Sequence, residues 1–563
     1  MAFFLLTVEA MTILYLPVLM SGIINNIQDG MDDRYYIFQT GLTMLGFTLL
    51  SGFAAVGAAY LAPRISAGAA RDLRRDIFIK VESFSQREFD SFSVASLITR
   101  CTNDVNQVQS LATVSARMLF YAPITAIGGI IMALNQSVSM SWIIALAVVV
   151  LLGFASIIVP IVLPRFRQIQ GMVDKLNKVS REILHGLMVI RAFGTQSHEK
   201  VRFDRTNSEI FDISLFVHRV MALVGPAMAF ILGGTQILVI WVGAHHIAES
   251  GLQIGDMIAF MQYSMAVIFA FMAITMVLVT VPRAAVSAGR IAEVLEMPVS
   301  VLDPEKPVDF SDTVQKQNGT VKFENVRFRY PGAETDVVEG VSFTALPGQT
   351  TAIIGPTGSG KSTIAQLLLR FYDISEGSIT VNGIDIRDVP QKKLREKIGY
   401  VPQKGQLISG TVASNIRYGS RLATEEEIEA AAAIAQAMEF IEEKPEGLQF
   451  EIGQKGGNVS GGQRQRLSMA RALAKKPEIL LFDDSFSALD FKTDANLRKA
   501  LKEHVADTTV IVIAQRVGTI KNADQILVLD AGKIAGKGTH EELLLTCSAY
   551  AEIVSSQEGS AVN

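Results

Sequence analysis

The sequence predicts a polytopic α-helical membrane domain, six transmembrane helices with long cytoplasmic extensions, fused to an α/β domain built around a phosphate-binding loop. Three observations carry that prediction. Of the 563 residues 49% are hydrophobic and only 19% are charged, and the mean hydropathy of +0.32 is high for a soluble chain. The excess is local, because long uncharged runs fill the first half and are missing from the second. Residues 355–362 read Gly-Pro-Thr-Gly-Ser-Gly-Lys-Ser, which fits G-x-x-x-x-G-K-[ST]. The expected division is a transmembrane domain at 1–300, a linker at 301–320, a nucleotide-binding domain at 321–555 and a tail at 556–563.

Uncharged stretches long enough to cross a bilayer lie at 10–28, 35–63, 118–164, 221–244 and 257–282. About 20 apolar residues suffice for one crossing. The third run is more than twice that length and holds the polar break Asn135, Gln136, Ser137, so it divides in two. Six helices result, at about 2–28, 35–63, 115–135, 138–164, 220–244 and 257–282, the first starting near residue 2 despite Glu9. Orientation follows from the basic residues, which favour the cytoplasmic side. The segment after the second helix carries Arg64, Arg71, Arg74, Arg75, Lys80, Arg87, Arg100 and Arg117. The segment after the fourth carries Arg165, Arg167, Lys175, Lys178, Arg181, Arg191, Lys200, Arg202, Arg205 and Arg219, whereas the other turns hold only Arg34. Both long segments, and the phosphate loop with them, are expected in the cytoplasm.

Helical spacing makes each long segment an extension of its flanking helices, with the turns expected at 93–100 and 195–203. The tips either dock on a cytoplasmic domain or are solvated hairpins. On the sixth helix Met257, Met261, Met265, Met272 and Met276 fall within roughly 100° of one face at 3.6 residues per turn. Such a flexible, polarizable stripe suits a cavity that accepts varied apolar ligands, or packing against neighbouring helices. A net charge of −4 makes no electrostatic case for nucleic acid. Cys101 and Cys547 lie far apart, so neither a disulfide framework nor a metal cluster is indicated. No cleavable leader is expected, since the first apolar run is too long and has no basic flank.

The phosphate loop is the chemical centre. It follows the apolar, strand-like run 351–354 and precedes the helix-like run 363–370. Its glycines let backbone N–H groups turn inward around phosphate oxygens, and the helix N-terminus adds the positive end of its dipole. Lys361 is expected at the β- and γ-phosphates and the Ser362 hydroxyl on Mg2+. Residues 479–484, Ile-Leu-Leu-Phe-Asp-Asp, read as a buried strand ending in Asp483, which can hold Mg2+ opposite Ser362. Residues 458–466, Asn-Val-Ser-Gly-Gly-Gln-Arg-Gln-Arg, form a second glycine-rich helix start suited to phosphate. One chain has no use for two such starts on one γ-phosphate, but a face-to-face dimer does. Upstream, 321–331 reads as an opening strand ending in Tyr330, which either stacks an adenine or packs at the sheet edge.

The order Tyr330, 355–362, Gln403 in Val-Pro-Gln, 459–463, 479–484 and Ser-Ala-Leu-Asp at 487–490 resembles the ABC transporter ATPase domain. The signature Ser460-Gly461-Gly462-Gln463 at this spacing from the loop is very specific. Six spans with long cytoplasmic segments ahead of it are similar to the half-transporter of ABC exporters of the type IV fold, and the resemblance covers nearly the whole chain. It implies ATP and Mg2+ as cofactors. It implies nucleotide contacts from Tyr330, Gly355, Pro356, Thr357, Gly358, Ser359, Gly360, Lys361, Ser362, Thr363, Val459, Ser460, Gly461, Gly462, Gln463 and Asp490, and magnesium contacts from Ser362, Gln403 and Asp483. A multi-pass protein of a bacterial cell membrane, surrounded by lipid and with its ATPase domain in the cytoplasm, is the implied setting. The chain departs from the family at its start, where Met1 lies almost at the first span instead of an elbow helix. A shortened start would explain that.

Two departures bear on catalysis. The family's carboxylate after the magnesium-site aspartate is a glutamate, and here it is Asp484. The family's switch histidine is replaced by Gln515 in Ile-Ala-Gln-Arg. Aspartate is one methylene shorter, so its carboxylate falls short of an attacking water, and reach comes before pKa. Glutamine hydrogen-bonds but carries no positive charge. Gln454, where exporters usually have glutamate, is a weaker third departure. Together they imply a site that binds ATP and hydrolyses it poorly, while the intact signature completes a competent site on a second half-transporter carrying the glutamate and histidine. The expected protein is thus one subunit of a heterodimeric exporter. ATP draws the two cytoplasmic domains together, Gln403 senses the γ-phosphate near the loop tips, and hydrolysis at the competent site reopens the pair. The cargo is expected to be amphipathic or apolar, a drug being favoured over a lipid, peptide or siderophore. A homodimeric lipid or peptide exporter, a regulatory ATP-binding membrane subunit and a membrane-anchored kinase-like enzyme are the alternatives.

Overall fold

Two compact units make up the chain, Met1–Val81 with Val94–Glu296, and Glu82–Ser93 with Met297–Asn563. The computed structural model describes residues 1–30, 34–249, 251–310, 318–504 and 506–558, apart from the side chains of 115–117, 167, 275–280, 282, 283, 491 and 558. The helices of the first 296 residues are α1 Ala2–Gln28, α2 Arg34–Glu82, α3 Gln86–Ser91, α4 Val94–Thr99, α5 Val105–Gln136, α6 Ser141–His185, α7 Leu187–Ala192, α8 Gln196–Ala222, α9 Val224–Ala248 and α10 Ile254–Glu296. Among the described residues six helical runs have the length and composition to cross a membrane: Ala2–Gln28, Arg34–Glu82, Val94–Gln136, Ser141–His185, Gln196–Ala248 and Ile254–Ile274. At 49 and 45 residues α2 and α6 measure roughly 70 Å, over twice the ~30 Å of bilayer hydrocarbon. Their polar ends are therefore helical continuations of the spans.

The turns fall earlier than the sequence pattern suggests. Glu82 ends α2, and most of 93–100 is helical, in α4 and at the start of a π-helical turn, Arg100–Asp104. Ser85 stops the preceding helix by capping α3, its N–H donating to the Glu88 carboxylate at 3.0 Å in a capping box. In the second hairpin the bends lie at Gly186 and 193–195, and 196–203 already belongs to α8. Gly194, at φ +67°, makes that bend with a backbone conformation that costs glycine little, whereas the polar residues after it only decorate a helix.

In the first unit α1, α5 and α10 pack closely. A methyl group on Gly128 would lie 2.4 Å from Leu14 Cδ1, and the Tyr263 hydroxyl donates to the Leu14 carbonyl at 2.8 Å. Charged groups tie the α4–α5 turn to α10: Arg100 lies 2.7 Å from Glu293, and Asp104 accepts from Ser287 at 3.0 Å. Met257, Met261 and Met272 pack into apolar clusters between helices. Met265 is exposed, and the side chain of Met276 lies outside the described residues. Helix packing accounts for three members of the stripe.

The second unit contains β1 Val321–Phe328, β2 Val338–Ala345, β3 Thr350–Ile354, β4 Glu376–Val381, β5 Ile384–Asp385, β6 Ile398–Val401, β7 Gly410–Thr411, β8 Glu451–Ile452, β9 Ile479–Asp483, β10 Thr509–Ile513, β11 Gln525–Asp530 and β12 Lys533–Gly538. The main sheet runs β12-β11-β3-β10-β9-β6, parallel except for β12. Every residue of β9 is buried, as expected of a parallel strand covered on both faces. A second sheet, β2-β1-β4-β5, is antiparallel. Cys101 and Cys547 are free thiols. The segment Glu82–Ser93, the tip of the first hairpin, belongs to this unit, which is the docking alternative for that tip.

Candidate nucleotide site

Sheet topology assembles the site. β6, β9, β10 and β3 are consecutive neighbours, and β10, β9 and β6 run parallel with β3. Gln403 follows β6, Asp483 and Asp484 close β9, Gln515 follows β10, and the phosphate loop follows β3. Residues scattered over 160 positions therefore meet at the carboxyl ends of four strands, where open α/β sheets bind ligands.

The loop is shaped for close approach. A Cβ on Gly355 would sit 2.0 Å from the Leu529 carbonyl, and one on Gly360 2.6 Å from that of Val337. Gly360 at φ +95° starts the helix Lys361–Leu368, so the turn into the helix needs glycine twice over. Lys361 folds back inside the curve, donating to the carbonyls of Gly355 at 2.8 Å and Pro356 at 2.7 Å. Burial pushes its ammonium below the ordinary lysine value, with Asp484 and Asp483 opposing the shift. An anion in the curve would give that buried cation its natural partner. The Ser362 hydroxyl donates to Asp483 Oδ1 at 3.0 Å. That pair fits Mg2+: two hard oxygen donors on an otherwise ligand-poor site, the arrangement of an ion held mainly by phosphates and water. Among the described residues no group of three or more His, Cys, Asp or Glu side chains is placed to cage a metal. Burial raises the Asp483 carboxyl above the usual range, against the Ser362 bond.

Asp484 stands at φ +47°, held by its N–H on the Ile513 carbonyl at 2.8 Å. Two glutamine side chains converge on it, Gln403 and the substituted Gln515. Gln403 Nε2 donates to Asp484 Oδ2 at 3.0 Å and Gln515 Nε2 donates to the same oxygen at 2.9 Å. One carboxylate oxygen is thus saturated by two neutral amides. Burial still raises the Asp484 carboxyl, with Gln403 and Lys361 pulling the other way.

The remaining expected residues are spread around this centre. Pro356, Thr357 and Gly358 are exposed along the loop, and Ser359 is buried beneath it. Tyr330 is half-buried; its hydroxyl donates to Gln366 at 2.9 Å and lies 3.0 Å from the Thr363 hydroxyl. Its ring packs edge-on against Phe328 and Tyr372. The signature is a helix start: Ser460 caps Gly461–Leu473, accepting from Gln463 N–H at 3.2 Å while Gln463 Oε1 accepts from Ser460 N–H at 2.9 Å. Ser460 and Gly461 are exposed, Gly462 and Gln463 half-buried and Val459 buried. No hydrogen bond among the described residues joins 459–463 to 355–363. Asp490 caps the helix Phe491–His504, accepting from Thr493 N–H at 2.9 Å and from its hydroxyl at 2.8 Å. Those bonds hold its carboxyl below the ordinary range. Sequence reasoning missed Tyr400, whose hydroxyl bonds Asp483 from β6. Only the β6–β9 pairing identifies it.

Comparison with known proteins agrees with this geometry. The ABC transporter transmembrane region family matches residues 1–271 and the ABC transporter family matches residues 338–487. An uncharacterized ABC transporter ATP-binding protein of Mycobacterium tuberculosis is 41% identical over 559 residues, 98% of this chain and 95% of its own. The chain belongs to the ABC transporter family. As an ABC transporter it is similar to a probable multidrug resistance ATP-binding/permease protein of Bacillus subtilis, 33% identical over 87% of this chain and 84% of that protein. An ATP-dependent lipid A-core flippase of Chromobacterium violaceum is 31% identical over 99% of this chain and 93% of its own. A solved bacterial Atm1-family ABC exporter with ATP bound shares the fold at a TM-score of 0.81 and 26% identity, over 99% of this chain and 97% of that one. This ABC chain is a half-transporter of the type IV exporter fold, a multi-pass membrane protein whose transport is coupled to an ATPase.

Proposed function

We propose that the chain is one subunit of a heterodimeric exporter of amphipathic or apolar compounds, and that its own ATP site is degenerate. The observation that carries this is the convergence of Gln403 and Gln515 on one oxygen of Asp484. A general base must present a free oxygen to the attacking water. Here the base position is a carboxylate one methylene shorter than glutamate, with two neutral donors on its Oδ2, and among the described residues no imidazole hydrogen-bonds it.

In this reading residues 355–362 cradle the triphosphate, Lys361 leaves its carbonyl partners for the outer phosphates, and Tyr330 offers the exposed part of its ring to the base. Ser362 and Asp483 hold Mg2+ with Gln403 nearby; the ion supplies neutralisation of phosphate charge. The signature 459–463, exposed at Ser460 and Gly461, presents a capped helix N-terminus to a second half-transporter that carries glutamate and histidine at the two altered positions. Asp490 lies on the same dimer face. The two ATPase domains are cytoplasmic, close over nucleotide at both composite sites and reopen after hydrolysis at the competent one. Nucleotide thereby shifts the population between closed and open states. Resemblance to a probable multidrug resistance transporter supports a lipophilic cargo.

The second reading is a homodimeric lipid exporter, favoured by the resemblance to a lipid A-core flippase. Steady-state ATPase separates the two. The chain purified alone is expected to be nearly inactive, and co-purified with a partner half-transporter it is expected to be active until the partner's base glutamate is replaced. Vigorous turnover by this chain alone would overturn the degenerate-site reading in favour of the homodimer.

A further inference from the structure

The ladders of β10 with β3 and β9 end at Ile513, and one further bond follows, from the Ala514 N–H to the Ile353 carbonyl at 3.0 Å. Neither neighbouring strand therefore offers a partner to the Gln515 carbonyl or to the Val517 N–H. The latter also opens the short helix Val517–Ile520, whose cap residue Arg516 supplies no side-chain bond, so it is one of the donors a helix leaves unsatisfied. One side chain meets both groups. Gln557 Nε2 donates to the Gln515 carbonyl at 2.8 Å, and Gln557 Oε1 accepts from the Val517 N–H at 2.9 Å. An amide with a donor edge and an acceptor edge thus stands where another strand would have paired. Packing builds its seat. On the helix Ser548–Glu558, Tyr550, Val554 and Gln557 fall at i, i+4 and i+7 along one face. Tyr550 and Val554 are buried in the cluster that also holds Val517 and Ile520, and the next turn delivers the amide. Arg498, on the helix Phe491–His504, donates to the Gly518 carbonyl at 2.8 Å, so side chains of two helices hold the stretch 515–518.

We infer that Gln557 is a positioning residue for position 515, fixing the backbone from which that side chain is aimed at Asp484 and at the outer phosphate beside it. The Gln515 carbonyl belongs to the peptide plane after Gln515, and the Val517 N–H belongs to the plane after that. Turning the first plane breaks one bond to Gln557 and turning the second breaks the other, so both are pinned. The rotamers open to a side chain depend on its backbone angles, and with the backbone held the Gln515 amide keeps its 2.9 Å bond to Asp484 Oδ2. A donor held in place before the phosphate arrives costs nothing to orient when it does. Gln557 acts through residue 515, since both of its bonds go to backbone. The helix Ser548–Glu558 thereby becomes part of the machinery of the nucleotide site.

This inference rests on the reading of 515 as the switch position of the nucleotide site, and the test keeps the two apart. The full-length chain in lipid nanodiscs is titrated with fluorescent ATP and ADP analogues in the presence of Mg2+. The parent protein is expected to bind the ATP analogue several-fold more tightly than the ADP analogue. Gln557→Met keeps the length of the side chain and removes both bonds. It is expected to lower that ATP preference by a factor of about 3–10, the scale of one misaimed hydrogen bond, and to change ADP affinity by less than about twofold. A merely structural role would weaken both nucleotides alike. Gln515→Ala is expected to lower the preference by the same factor, and Gln557→Met to add nothing in its background. An unchanged ATP preference in Gln557→Met, equal losses of ATP and ADP affinity, or losses that add to those of Gln515→Ala would each overturn the positioning role. Equal binding of the two analogues by the parent, or no effect of Gln515→Ala, would instead overturn the switch reading of 515. Failure to bind either analogue would overturn the proposed phosphate loop.

Discussion

The two ends of the ATPase domain's chemistry differ in how they have been kept. The signature 459–463 has every feature its role asks for: a serine cap, a reciprocal glutamine, two glycines and an exposed helix start, braced by Arg464 on the carbonyls of Gly456 and Val459. The phosphate-loop side keeps its binding parts, the loop, Lys361, Ser362 and Asp483, yet at the positions that would activate water it has Asp484 and Gln515, bonded to each other. Binding and hydrolysis are separable within one pocket because they use different atoms. Phosphate binding needs backbone N–H groups and a cation, whereas hydrolysis needs one free, correctly placed oxygen. In the proposed reading the chain keeps the first, has only a shortened carboxylate for the second, and completes another chain's site with its signature.

The sharpest way to break that comparison is at the signature. Ser460→Arg in the complex is expected to lower ATPase by about 100-fold, the scale of losing donors that stabilise developing charge; near-normal turnover would show that this signature serves no active site. Lys361→Ala should weaken nucleotide binding at this chain's site about tenfold by removing its one charged phosphate ligand, and slow transport by a smaller factor. Lost binding with unchanged transport would reduce the site to a bystander. Asp484→Glu alone is expected to change ATPase by less than about twofold, because Gln403 and Gln515 can clamp the longer carboxylate as well. Combined with Gln515→His, the gain should reach about tenfold and exceed the product of the single effects, since the two side chains share one hydrogen bond. Additive gains would mean the clamp does not matter.

The smallest expected effect concerns Asp483. Burial lifts its carboxyl above the ordinary value of about 3.9. The native state then binds that proton more tightly than the unfolded chain, so stability from this group falls as pH rises through the window just above the ordinary value. In metal-free buffer Asp483→Asn should raise the melting midpoint by a degree or two at neutral pH. The difference should vanish near pH 3, where the carboxyl is protonated in both states. A difference independent of pH would assign the effect to packing.

Much of the site was legible because local chemistry demands particular residues at particular spacings. A glycine whose Cβ would lie 2.0 Å from a carbonyl, a lysine and hydroxyl at the helix start, and an apolar strand ending in aspartate leave their marks in a linear pattern. The hairpin turns were less legible. At 93–100 and 195–203 the polarity pattern points to breaks, but the actual bends follow a serine cap at Ser85 and a left-handed Gly194, signals two or three residues long inside segments of 27 to 49 residues. The methionine stripe has the period of a single face, yet period alone does not say whether a face meets a cavity or a neighbour; Gly243, whose missing side chain admits Met257, decides that locally.

By itself the sequence determined the six apolar spans, the phosphate loop and the substitutions at Asp484 and Gln515, because transfer into lipid and phosphate binding are properties of residue type and short spacing. Only the tertiary structure decided that Gln403 and Gln515 meet on one oxygen, that Tyr400 reaches Asp483, and that Gln557 holds the backbone of Gln515. Those contacts join residues 31 or more positions apart. They follow from strand order and from the return of the helix Ser548–Glu558 to the end of β10, neither of which any local pattern encodes.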